Sequence, residues 1–259
     1  NLAAYVTPED WLELSGPLRT GVAACRSGSG AIIAAVTLVR HHLHSGEVSN
    51  AQHVISQVQR LRPYLALHVL DELKAILQSD RLDLVKAVEA CDAFLRSRQA
   101  EKIRLRMVCE NVGSTIHGPI VAYGFSDLAL TLLGALPFPR PVVFVPECRN
   151  RAHIESGVAY AEAISSLGFP VIYVSDATLA HLLCRQSDPI GTVLMGFTVA
   201  GPEGVINTVG SLGAAMLAKY CGVDVVFVGQ SFKIVTGPEW EKLRRRSLES
   251  EGDGWWLDE

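Results

Sequence analysis

The side chains best suited to chemistry cluster in a few short stretches. Glu147, Cys148, Arg149, Arg151 and His153 lie together, Asp176 follows an apolar run, and Thr198, Glu203 and Asn207 fall within a glycine-punctuated segment. Arg149 and Arg151 have the planar donors that hold a phosphate bidentately, and they are equally able to cap helix ends or to pair with Glu147. Cys148 is a candidate nucleophile or proton donor, because a neighbouring guanidinium such as Arg149 lowers a thiol pKa. Asp176 precedes an apolar helical stretch at 177–183, where a carboxylate serves as N-cap. Asn207 stands in the same relation to the helix expected at 209–220. Arg26 opens the turn RSGSG at 26–30, ahead of a helix, and its backbone amides could meet an anion or simply turn the chain.

Several chemistries are excluded by pattern. No GxGxxG follows the first strand of the sheet, no GxxxxGK[ST] occurs, and HExxH and the nucleophile elbow are also missing. The six cysteines, at 25, 91, 109, 148, 184 and 221, include no CxxC pair, which argues against a zinc site and against a disulfide scaffold. No cofactor is indicated. With a net charge of -4 and a pI near 6.1, the chain has no global basic field to recruit nucleic acid or an anionic membrane. The basic run at 242–246 lies next to an acidic one at 249–253 and reads as a solvated helix face. No apolar run approaches the ~18 residues needed to span a bilayer, and a reducing cytoplasm suits the cysteine usage.

The elements that position these residues follow from periodicity. In residues 1–112 apolar side chains recur at three and four, as at Leu84, Val88, Cys91 and Leu95, predicting helices over 31–44, 51–77 with a break near Pro63, and 82–108. From 113 onward, short β-rich runs at 116–121, 142–145, 171–174, 193–195 and 223–228 alternate with amphipathic stretches. That alternation predicts an α/β fold: an N-terminal helical domain, 1–112, followed by a Rossmann-like doubly wound parallel sheet, 113–259. Ligands of such sheets sit at the carboxyl ends of the strands, so the loops at 122–127, 146–155, 175–178 and 197–207 frame the expected site.

Four segments of this half carry a resemblance. IVAYGFSDLALTLL (120–133), the strand 143–149 with the helix 155–163, VIYVSDAT (171–178), and above all GPEGVINTVGSLGAAMLAK (201–219) with QSFKIV (230–235) resemble the superfamily of the alpha, beta and delta regulatory subunits of translation initiation factor 2B. Ribose-1,5-bisphosphate and methylthioribose-1-phosphate isomerases belong to the same superfamily. The match spans about 90–235.

The departures from the isomerases bear on function. The position that matches their cysteine is Gly124, and the one that matches their aspartate is Thr198. Carbonyl migration along a sugar phosphate needs groups that exchange protons, which glycine and threonine do not supply near neutral pH. At the phosphate-binding turn of the family, the expected Asn-Lys pair is here Asn207 with Thr208. The resemblance therefore implies a regulatory subunit, alpha- or beta-like, without catalytic residues. Its expected partners are other factor 2B subunits and initiation factor 2, in a homo- or hetero-oligomer. The alternatives are an isomerase with relocated groups, for which Cys109, Cys148, Glu147 and Asp176 are available, or a sensor binding a sugar phosphate or nucleotide through Arg26, Arg149, Arg151 and Asn207.

Overall fold

The computed structural model describes residues 28–61, 67–79, 83–149, 156–249 and 257–258. The chain divides into two compact units, Asn1–Ile103 and Arg104–Glu259. The division falls inside a long helix, ahead of the expected boundary at 112/113, where that helix ends in a 3-10 turn at Gly113–Thr115.

The first unit is helical, as its periodicity requires. Helices α1 (Gly28–His44), α2 (Val48–Leu61) and α3 (Leu67–Leu77) precede α4 (Leu84–Val112). Ile32, Ala35, Val36, Val39 and Leu43 line one face of α1, and they are buried together with Ala51, Val54, Ile55 and Val58 of α2. Leu70 and Leu73 of α3 and Ala87, Cys91 and Phe94 of α4 are buried as well. Polar ties add to this apolar packing: Arg40 pairs with Asp92, and Gln52 donates to the Leu77 carbonyl at 2.9 Å.

The second unit is built on a five-stranded parallel sheet. Its strands are β1 (Ile120–Tyr123), β2 (Val143–Pro146), β3 (Val171–Val174), β4 (Thr192–Gly196) and β7 (Asp224–Val228), in the order β3-β2-β1-β4-β7. Strand residues alternate between two apolar layers, as a pleat dictates. Ile120, Ala122, Val143, Val145 and Leu194 pack with α5 (Asp127–Gly134) and α6 (Ser156–Ser166), whereas Val121, Tyr123, Phe144, Val193 and Met195 pack with α7 (Leu179–Cys184) and α8 (Ser211–Tyr220). Helices thus cover both faces, and the doubly wound parallel sheet is the fold that the alternation implied.

Local corrections have physical causes. The first strand was expected from 116, yet β1 begins at Ile120. Pro119 lacks an N–H and Gly118 turns at φ 67°, packed against the Gly191 backbone. The segment 197–207 is not the loop that its glycines predict. Instead it continues into an antiparallel hairpin of β5 (Val199–Gly201) and β6 (Gly204–Thr208), and β6 also pairs with β8 (Leu257–Asp258). Helix α9 (Gly237–Glu249) covers the run at 242–246. Within that run Arg244 pairs with Glu203 at 2.6 Å, while Lys242 and Arg245 are exposed.

Candidate functional site

In this strand order β1 and β4 are neighbours whose connections leave in opposite directions, and the crevice at such a switch point is where α/β sheets bind ligands. Gly124 closes β1 with φ 73°, a conformation that glycine adopts without a Cβ penalty. A Cβ there would meet only the Thr208 hydroxyl, at 3.9 Å. The next residues start α5, with Ser126 as its N-cap accepting from the Ala129 amide.

Beside Gly124 lies the thiol of Cys148, at the end of β2. Its sulfur accepts from the Gly124 N–H at 3.2 Å, and Cys148 itself is held at φ 47°. Burial raises its pKa to about 12, with Asp176 and Glu147 adding to the shift against the Gly124 bond. The expectation that Arg149 would activate this thiol is therefore corrected. Arg149 is exposed and pairs with Glu147 at 3.2 Å, so its charge is answered by a carboxylate. Asp176 has a different task from the one expected of it. It lies within a 3-10 turn, and its carboxylate accepts from the backbone N–H groups of Cys148 at 2.9 Å and Arg149 at 3.0 Å. That double acceptance folds the post-β2 loop over the end of β3.

The β4 side is pinned by amide and ammonium groups. Thr198 donates its backbone N–H to Ile206 at 3.1 Å, extending the hairpin ladder toward β4. Asn207 is not an N-cap: it lies in β6, buried, and its side-chain amide donates to the Gly196 carbonyl at 2.8 Å. The N-cap of α8 is Gly210, at φ 93°, and the Tyr123 hydroxyl occupies the space where its Cβ would be, 1.8 Å away. Lys233, also buried, donates to the Phe197 carbonyl at 2.8 Å. Arg26, Arg151 and His153 lie outside the described residues.

Sequence reasoning did not single out Tyr123, Lys233 or Tyr160. Tyr160 on α6 is fully buried against Phe125, with ring centroids 5.2 Å apart, and its hydroxyl has no hydrogen-bond partner among the described residues. Burial, with Cys148 and Asp127 adding to it, raises its pKa, so the phenol stays protonated. A tyrosine in an apolar helical pattern, or a lysine just past a strand, carries no signal that would separate it from its solvated counterparts. A further correction concerns cysteine: Cys184 and Cys221, at the ends of α7 and α8, form a disulfide with their Cα atoms 5.4 Å apart. Among the described residues no group of three His, Cys, Asp or Glu side chains is placed to hold a metal, and no helix is long and apolar enough to cross a membrane.

A helical unit followed by a Rossmann-like unit with a hairpin inserted after β4 defines the class of protein. A model of the initiation factor 2 subunit family matches residues 32–250. The chain belongs to that family. Solved structures agree in fold. The Pyrococcus horikoshii OT3 translation initiation factor eIF-2B superposes with a TM-score of 0.65 at 16% identity, covering 88% of this chain and 81% of that one. The eIF2B delta subunit of Chaetomium thermophilum gives 0.62 at 18%, covering 92% of both chains. The tetrameric eIF2B-beta2-delta2 complex from C. thermophilum gives 0.63 at 18%, over 88% and 78%. No curated protein sequence matches the chain.

Proposed function

We propose that this chain is a non-catalytic regulatory subunit, alpha- or beta-like, of a cytoplasmic initiation factor 2B guanine-nucleotide exchange complex. In this reading it binds initiation factor 2 and assembles with other factor 2B subunits. The observation that carries the proposal is the pair of residues at the switch point: Gly124 brings no side chain to the end of β1, and Thr198 brings no group that exchanges protons near neutral pH. Family membership and the solved eIF-2B folds support the setting. The test is depletion of the chain from a native lysate, followed by measurement of GDP release from initiation factor 2. Slowed release that wild-type protein and Cys148→Ser restore equally is the expected result; unchanged release on depletion contradicts the proposal.

One observation favours a second reading. The Cys148 sulfur lies at the Gly124 amide, so a thiol stands beside the position where the related isomerases carry theirs. Turnover of a phosphorylated sugar that disappears in Cys148→Ser would favour an enzyme with a relocated thiol. Sugar phosphates or nucleotides that raise the melting temperature without turnover would favour a sensor, since binding to the native state stabilises it.

A further inference from the structure

The disulfide and the candidate site stand at opposite ends of one short helix. Helix α7 ends on Cys184, whose bond to Cys221 ties it to the C-cap of α8. At its other end the 3-10 turn Asp176–Thr178 runs directly into Leu179. That turn holds the loop after β2. The Asp176 carboxylate accepts from the Cys148 and Arg149 amides, and the Asp176 N–H donates to the Glu147 carboxylate at 3.3 Å.

Helix α7 has six residues, about 9 Å of length, and a helix that short does not persist by itself. Its position depends on its anchors. Leu179, Leu182 and Leu183 are buried in the apolar layer that includes Ala214 and Ala218 of α8, and the disulfide adds a covalent tie to the same helix. The two bonded cysteines differ in access: Cys184 is exposed and Cys221 half-buried. Exposed disulfides are the ones that small thiols open and that serve regulation, whereas Cys91 and Cys109 are buried free thiols.

We propose that the Cys184–Cys221 bond is a thiol-exchange site whose state sets how firmly α7 holds the Cys148 loop. The co-reactant is a low-molecular-weight thiol of the glutathione class. Its thiolate attacks the exposed Cys184 sulfur, forming a mixed disulfide and releasing Cys221 as a thiolate that takes up a proton. A second small thiolate attacks the small-thiol sulfur of that mixed disulfide, which yields the small disulfide and frees Cys184, protonated in turn. Two small thiols are thereby oxidised and one protein disulfide reduced, and the reverse sequence closes the bond. With the bond open, α7 keeps its leucines and loses its covalent tie, so the Asp176 turn opens more often. Cys148, which the closed loop turns onto the Gly124 amide, is then reached from solvent.

The inference rests on the geometry of the sheet unit and holds whether the switch point is silent, sensing or catalytic. Its test is iodoacetamide labelling of the whole chain at neutral pH, well below the melting temperature, with each cysteine followed by mass spectrometry. The oxidised protein is compared with protein reduced by glutathione and then desalted. Labelling of Cys148 is expected to quicken by about tenfold on reduction, the scale of coupling through a packed element. Cys91 and Cys109, buried away from α7, keep their rates and report that the fold is intact. In Cys221→Ser, glutathione disulfide is expected to leave a glutathione adduct on Cys184, since the attacking thiolate is the exposed one. A bond that glutathione does not open in the native protein, a Cys148 rate equal in both states, an equal rise at Cys91 and Cys109, or no adduct on Cys184 would each overturn the proposal. The wild-type comparison needs no variant, so it stands if Cys221→Ser does not fold.

Discussion

At the residue scale, the candidate site is defined by what holds its loops. Cys148 is the clearest case. Its sulfur is turned onto the Gly124 amide, and its pKa of about 12 keeps it a thiol through the physiological range. Unfolded, the same thiol ionises near ~8.5. Between those values the unfolded state binds fewer protons than the native one, so stability falls as pH rises through that window and is unaffected below it. Denaturant titrations in alkaline buffers are expected to show this slope, and Cys148→Ser to lessen it. Cys91, raised to about 11 by burial, leaves a residual slope in the variant. Alkylation of native Cys148 at neutral pH is correspondingly slow, and rapid modification there would contradict its burial. Gly210 makes the second prediction. Its positive φ and the Tyr123 hydroxyl 1.8 Å from an added Cβ mean that Gly210→Ala is expected to cost about 2 kcal/mol or more in urea unfolding. Tyr123→Phe in the same chain should recover part of that loss, since it removes the clashing oxygen and leaves the backbone strain.

At the scale of elements, the hairpin and the last helix stabilise one another. Trp240 of α9 is buried with its ring 2.2 Å from where a Gly201 Cβ would stand, Leu243 is buried beside it in sequence, and Arg244 reaches Glu203 across the turn. Trp240→Ala removes a large buried ring and is expected to cost about 3 kcal/mol, read as a lower melting temperature with raised hydrogen exchange in β5 and β6. Neutralising Arg244 should change little, because it is an exposed pair. The Cys184–Cys221 disulfide closes a loop of sequence separation 37, for which chain entropy gives about 4 kcal/mol. Reductant is therefore expected to lower the melting temperature, and Cys184→Ser to abolish that response; a wild-type protein indifferent to reductant would contradict the bond. Much of this level was legible in the sequence. Short apolar runs mark all five strands of the sheet, and the spacing of Ile32, Val36, Val39 and Leu43 marks the face of α1. The hairpin was hidden because its strands are short and rich in glycine, and because its partner β8 lies far along the chain. Asn207 and Asp176 resembled helix caps because type and local position are all a sequence displays. Their real partners, Gly196 in β4 and the Cys148 and Arg149 amides in the loop after β2, come from elsewhere in the sheet unit.

At the scale of the molecule, an initiation factor 2 subunit fold carries a switch point furnished with glycine, threonine and a protonated thiol. The proposed regulatory reading rests on that furnishing. Purification of the tagged full chain from its native cells, followed by mass determination and sequencing of what elutes, tests the reading most directly. The account predicts recovery of other factor 2B subunits together with initiation factor 2, in amounts unchanged by Cys148→Ser. Recovery of the chain without any of them, from a preparation that turns over a sugar phosphate, would contradict it.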